Sequence, residues 1–391
     1  MLNKIHEAID LHFDEMVEIR RYLHQYPEVS FNEFETAKYI ADFYKQLEIP
    51  YDTNIGGNGV IARLKGHKPG STIALRADFD ALPIDDQKDV PYKSKKRGAM
   101  HACGHDGHTA TLLILAKVMK KFQSELAGTI VFLHQHAEEI PPGGAISILQ
   151  SGALKNVDAI FGNHLWAPTP FGEITTKKGA FMAGADSFTI TIKGKGGHGG
   201  YPHETKDAIL IGAEITTHIQ NIISRKISPF QTAVITIGRF EAGTSFNIIA
   251  DEAKLTGTVR YLDSNVQKKV KEEINRVVKG ICLANDAAYE LDYEDGYPPV
   301  VNHDKETDLV FKAAENIHEI NETTVCEPQM AGEDFAHYLR TIPGAFFFTG
   351  AKIDGHEYPH HHPMFDFDER AMPIAAKMLI GTYLAYQEQL K

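Results

Sequence analysis

Apolar side chains at Ile5, Ile9, Met16, Ile19 and Leu23 recur at helical spacing, and Pro27 ends the run. The spacing predicts a helix over 4–25 and a second over 33–47. Short β-rich runs follow at 59–64 and 72–76. A long helix is predicted over 109–122 and a strand over 129–134. A short helix comes after Pro141-Pro142-Gly143-Gly144, then a strand over 157–163. Strands alternating with helices at these lengths describe an α/β fold, a central mixed sheet flanked by helices.

The pattern changes near residue 185. Phe188, Ile190 and Ile192 alternate with polar residues, as in a half-buried strand, and 194–200 is rich in glycine. An amphipathic helix is predicted over 207–224, alternating strands over 233–239 and 254–262, a charged helix over 266–281 and a strand over 289–293. That block is a self-contained α+β unit of about 110 residues, a usual domain size. From 296 the first pattern returns. The expectation is a catalytic α/β domain, 1–184 and 296–391, interrupted by a smaller α+β domain at 185–295.

With 391 residues, two domains are the default. The formal net charge of -12 opposes binding to a nucleic-acid backbone, and Lys93-Ser94-Lys95-Lys96-Arg97 reads as a solvated loop. The first twenty residues carry acids and bases throughout and lack the apolar core of a secretory signal. No apolar stretch approaches the length of a membrane span. Three cysteines, Cys103, Cys282 and Cys326, do not suggest a disulfide framework, so a reducing cytoplasm is the expected location. The twenty histidines are numerous and clustered.

The sharpest local feature is His101-Ala102-Cys103-Gly104-His105-Asp106-Gly107-His108. Side chains at i and i+2 of an extended segment point the same way, so Cys103 and His105 can converge on one ion. Thiolate and imidazole both suit zinc and its neighbours. The plain alternative is a polar loop capping a helix. Glu138-Glu139 follows the strand at 129–134. Adjacent carboxylates repel and need a cation or water, and here one Glu can bind metal while the other serves as a base. His164 ends the strand at 157–163, where a lone histidine is commonly structural. His360-His361-His362 precedes the rigid Pro363. Together these segments offer enough donors for two ions roughly 3.5–4 Å apart.

These residues resemble a known family, the dinuclear metallopeptidases that include aminoacylase and the glutamate-releasing carboxypeptidases. Within it the chain is most similar to the amidohydrolase branch of hippurate hydrolases and auxin-conjugate hydrolases. The landmarks span nearly the whole chain: 20–24, Pro27-Glu28, 76–83, 101–108, Ala137-Glu138-Glu139, Gly196-Gly197-His198, Pro202-His203, 332–335 and His361-His362-Pro363.

The resemblance implies two divalent ions per subunit, with Cys103 bridging them and His105, Glu139, His164 and His361 as the other ligands. His361 is chosen among its neighbours because the family's ligand lies two residues before the proline. Glu138 would be the general base, and Asp80 would orient a ligand histidine. The inserted domain would be the family's lid-like dimerisation domain. From it His198 would reach the partner subunit's site and donate to the oxyanion, while Asn247 and Arg260 would hold the substrate carboxylate. The implied activity is hydrolysis of N-acyl amino acids by a homodimer or higher homo-oligomer, with no nucleic acid and no membrane. N-acetyl-diaminopimelate deacetylation and dipeptide cleavage are alternatives. Manganese is expected ahead of zinc, although thiolate softness favours zinc.

Two positions depart from the family pattern. His136 stands where proline is usual, and Ala331-Gly332 before Glu333 differs from the commoner order. Three rivals stay open. In one, Cys103 is a thiol nucleophile with His105 or His108 as base. The others are a binding protein without catalysis and a phosphoesterase, which would need a phosphate apparatus not evident here.

Overall fold

The computed structural model describes residues 1–389. The chain forms two compact units, one of 1–181, 300–327 and 334 onward, the other of 182–299 and 328–333. In the first unit come helices α1 (Leu2–Asp10), α2 (Phe13–Gln25) and α3 (Phe34–Gln46) and strands β1 (Tyr51–Ile55), β2 (Gly59–Lys65) and β3 (Lys68–Asp78). They are followed by α4 (His105–Lys121), β4 (Ala127–Gln135), α5 (Gly144–Gln150), β5 (Ala159–Trp166), β6 (Glu173–Thr176) and β7 (Gly179–Met182).

The second unit is built on β8 (Gly184–Lys193), the short β9 (Gly197–His198), α6 (Ala208–Arg225), β10 (Ala233–Ala242), the short β11 (Ile248–Ile249), β12 (Glu252–Tyr261), α7 (Ser264–Ala284) and β13 (Ala288–Tyr297). Its four-stranded antiparallel sheet has the order β10-β12-β8-β13. Alternation puts Phe188, Ile190 and Ile192 of β8 on the buried face, against Ile211, Ile215 and Ile219 of α6 and Val270 and Ile274 of α7. Asp207 starts α6 by accepting the amides of Ile209 and Leu210.

The chain then returns to the first unit through β14 (Val300–Asn302), α8 (Asp304–Ala314), β15 (Glu322–Val325), α9 (Ala336–Leu339), β16 (Gly344–Gly350) and α10 (Ala371–Glu388). Its mixed eight-stranded sheet has the order β1-β2-β4-β3-β5-β16-β6-β15. Strands β4, β3, β5 and β16 are parallel neighbours; β4, β5 and β16 are buried along nearly their whole length and β3 over its last six residues, as strands covered on both faces are. Helices flank the sheet, with α4 and α10 packed on it and on each other. The one helix expected over 4–25 is two, broken at Leu11 and His12. The break coincides with a change of packing: α1 rests on both α10 and α4, and α2 packs mainly on α4. Among the described residues no helix is long and apolar enough to cross a membrane.

Candidate metal centre

Four parallel strands deliver the candidate donors from their carboxyl ends, where open α/β sheets hold ligands. Asp78 and Asp80 leave β3, Glu138 and Glu139 follow β4, His164 lies near the end of β5, and His361 is on the segment after β16. Cys103 and His105 come from the turn that opens α4, in which Gly104 takes φ of +95°. Two donor groups, each with its atoms within 4.8 Å of one another, share the Cys103 sulfur. One is Cys103, His105 and His164, and the other is Cys103, Glu139 and His361.

The imidazoles of His105 and His164 are each held by Nδ1. His105 Nδ1 donates to the Asp80 carbonyl at 3.0 Å and to Asp80 Oδ1 at 3.1 Å, which turns Nε2 toward the other donors. His164 Nδ1 donates to the Leu165 carbonyl at 2.9 Å, leaving Nε2 3.4 Å from the Cys103 sulfur. His361 Nε2 lies 3.4 Å from Glu139 Oε2. His361 takes φ of +67°, and its amide is tied to the Ala102 carbonyl. Its neighbours make other contacts, His360 packing edge-on against the His164 ring. His360 stacks on Trp166 and accepts the Ala167 amide, while His362 stacks on Tyr358.

Two buried atoms test whether this set fits an ion. His105 Nε2 and Glu139 Oε1 have no hydrogen-bond partner and lie 3.8 Å apart, a gap that a shared cation would close. The charge balance agrees. Burial disfavours a proton on His105, yet Asp78, Asp80 and Glu139 outweigh it and raise its pKa to about 10. That surplus of negative charge is what a divalent ion would take up. Burial, then Glu139 and Glu138, pushes the Cys103 thiol well above its usual value. His164 is held neutral by burial and by His108 and His360. The residues fit a pair of divalent ions.

Asp78 and His108 join this site, a pair with no metal role in the sequence reading. His108 Nδ1 donates to Asp78 Oδ1 at 2.6 Å, and its Nε2 accepts the Leu165 amide at 2.9 Å, next to His164. Arg76 donates to Asp78 at 2.5 Å and to Asp334 at 3.1 Å. Under the start of α4, buried Arg20 pairs with Asp106 at 2.9 Å and Asp366 at 2.8 Å, and His24 donates to Asp106 at 2.7 Å. Both networks run through the landmark segments, and that is the only signal of them a reader of the sequence has. His136 does not face the donors. Its ring edge meets Phe31, and Gly57 is required beside it, since a Cβ there would come within 2.6 Å of His136 Nε2.

In the second unit His198 and Asn247 are adjacent: the Gly199 amide donates to the Asn247 carbonyl and His198 pairs with Ile248. Both are exposed. Arg260 lies apart from that pairing on β12, opposite Val234 and Ala185, with its guanidinium on Thr258 and the Val259 carbonyl.

Thiol, imidazole and carboxylate donors gathered at the carboxyl ends of parallel strands define a candidate metallohydrolase. The chain belongs to the peptidase family M20/M25/M40, whose profile matches residues 74–385, and is a hydrolase of amide bonds. It is 54% identical over 387 residues, 98% of each chain, to the Bacillus subtilis protein YhaA, provisionally named an amidohydrolase. It is 43% identical over 305 residues to an N-acyl-L-amino acid amidohydrolase of Geobacillus stearothermophilus, covering 77% of this chain and 82% of that one. Among solved structures it is similar to the Bacillus subtilis YXEP protein, a dinuclear metal-binding M20 peptidase. The TM-score is 0.84 at 37% identity, over 97% of this chain and 99% of that one.

Proposed function

We propose that the protein hydrolyses the amide bond of N-acyl amino acids in a site that binds two divalent ions. The observation that carries this reading is the pair of donor groups sharing Cys103. Cys103, His105, Glu139, His164 and His361 would hold the ions. When bound, such ions polarise a carbonyl and acidify a water.

The remaining roles fall to side chains. Glu138, a buried carboxylate 4.0 Å from His105 Nε2, takes the proton of the attacking water and returns it to the leaving amine. Asp80 keeps His105 in the tautomer that presents Nε2. His198, from the partner subunit, donates to the oxyanion, and Asn247 and Arg260 hold the substrate carboxylate. Arg260 would first release Thr258. We take the domains to be 1–184 with 296–391 for catalysis and 185–295 as the dimerising lid. Support for dimerisation comes from the exposed apolar residues at and around edge strand β10, among them Phe230, Val234, Phe240 and Phe246. Manganese is placed ahead of zinc, and the cytoplasm is the working location.

The names of relatives favour N-acyl amino acids. Besides the amidohydrolase above, an N-acetylcysteine deacetylase of Bacillus subtilis is 40% identical over 377 residues. N-acetyldiaminopimelate is the second candidate, since a deacetylase of that compound from Anoxybacillus flavithermus is 38% identical over 367 residues. The test is a panel of N-acetyl, N-benzoyl and N-acetyl-diaminopimelate substrates, run before and after chelation and after adding manganese or zinc. Hydrolysis should vanish with chelator and return with manganese more fully than with zinc. Hydrolysis that survives complete metal removal would favour the thiol nucleophile, and a panel with no substrate would sink the proposal.

A further inference from the structure

Glu33 is fully buried, and no cation pairs with it among its hydrogen bonds. It sits at the start of α3, a position that favours short capping side chains, yet it caps nothing there. Glu28 does that work instead, accepting the amide and hydroxyl of Thr36. The Glu33 carboxylate turns the other way. Its Oε1 accepts the Phe31 amide at 2.9 Å and the Ala137 amide at 2.9 Å, and its Oε2 accepts from Asn58 at 2.9 Å.

The two amides on that one oxygen belong to strained residues. Phe31 has φ of +66° and Ala137 φ of +52°, left-handed conformations that are unfavourable for any residue bearing a side chain. Ala137 is the residue immediately before Glu138 and Glu139, so its backbone angle decides where both carboxylates leave the sheet. The same turn reaches the other half of the site. Ser30 Oγ donates to Asp80 Oδ2 at 2.7 Å, and that oxygen also accepts the Glu139 amide at 3.0 Å. The turn is anchored in turn by the Ala81 amide on the Glu28 carbonyl.

We propose that Glu33 is a positioning residue for the amide-hydrolysing site, holding the Ala137-Glu138-Glu139 turn in its strained conformation through a 104-residue separation in sequence. It touches neither ion nor substrate. The inference rests on the proposed function for its catalytic consequence, while the structural clamp itself does not. An acceptor at Oε1 is what the role needs, and a charge is not. Glu33→Gln keeps that acceptor, with Asn58 turning its amide over. Glu33→Ala removes it and leaves the buried Ala137 amide and the part-buried Phe31 amide without this acceptor.

The test compares both variants by backbone amide exchange and by kinetics. In Glu33→Ala, the peptide covering 134–140 should exchange at least about tenfold faster, while the α4 peptide covering 110–119 is unchanged. Its kcat should fall about 10–100-fold with KM within about twofold of wild type, the size of effect seen when a supporting contact is removed. Bound manganese should weaken alongside, because Glu139 shares the turn. Glu33→Gln should restore exchange, manganese binding and kcat to within about threefold of wild type. Unchanged exchange in Glu33→Ala, or a Glu33→Gln as defective as Glu33→Ala, overturns the proposal. Should Glu33→Ala not fold, Glu33→Asp replaces it: the shorter stem withdraws the acceptor and is expected to give the same defects, and wild-type exchange there is equally fatal. Exchange needs no substrate, so a wild type that hydrolyses nothing defeats the proposed function and leaves this test standing.

Discussion

Cys103 could serve as nucleophile or as ligand, and its neighbours separate the two roles. A nucleophilic cysteine needs electropositive surroundings that favour the thiolate. Here burial and the carboxylates of Glu139, Glu138 and Asp78 act in the opposite sense. The same carboxylates suit a ligand, since cations would offset all of them together. Glu33 poses a related question about charge. Burial, reinforced by Asp80, raises its carboxyl to about 7 from an ordinary value of 4.5. A carboxyl whose pKa is higher in the folded state stabilises the fold through its neutral form. That contribution is full below about pH 4.5 and is lost as pH rises through about 7. Glu33→Gln removes the titration. Its stability relative to wild type, from urea melts, should rise between about pH 5 and pH 8 by on the order of 2 kcal/mol. Parallel curves for the two proteins would contradict the assignment.

At the scale of elements, the parallel strands explain why distant residues meet. β4, β3, β5 and β16 run in one direction, so each ends beside the next, and Glu138, Glu139 and His164 need only sit at or within four residues of a strand end, while His361 comes from the longer segment after β16. The long buried helix α4 then fixes the Cys103–His105 turn from the other side, with Arg20 of α2 tied to Asp106. In the second unit, β10 is an edge with Val234 and Phe240 about 40% exposed. Unprotected apolar edges are uncommon in monomers and invite pairing with another chain. A Val234→Lys and Phe240→Asp double variant should sediment as a monomer. It should keep its metal yet lose most hydrolysis, because His198 would have no partner site to serve. A double variant that still dimerises places the interface elsewhere, and a fully active monomer removes the role of His198 in the partner's site.

Across the whole molecule, what was legible in the sequence follows from range. Alternation and helical spacing are local, so most helices and strands before residue 296 were readable, and so was an α/β fold, but no single element was placed after it, β16 and α10 included. The break in the first helix was not, because the apolar stripe continues across Leu11 and His12 while the packing partner changes. Candidate donors were readable as residue types near strand ends. Their order along the chain, rather than Cys103 with His105 alone, gave the family. Contacts such as Glu33 to Ala137, or His108 to Leu165, are made through space between residues whose types are common, so nothing local marks them. The exposure of His198 and Asn247 could not be read either, since glycine-rich loops serve buried and open sites alike.

In the proposed mechanism, bound divalent ions and Glu138 act together to hydrolyse an amide. The most direct measurement is metal content and N-acyl amino acid hydrolysis of Glu138→Ala, side by side with wild type. Two ions per chain are expected in both proteins, with a loss of at least about 10³-fold in kcat for the variant, within the range for removal of a general base. A Glu138→Ala protein with its metals bound and near wild-type turnover would contradict it.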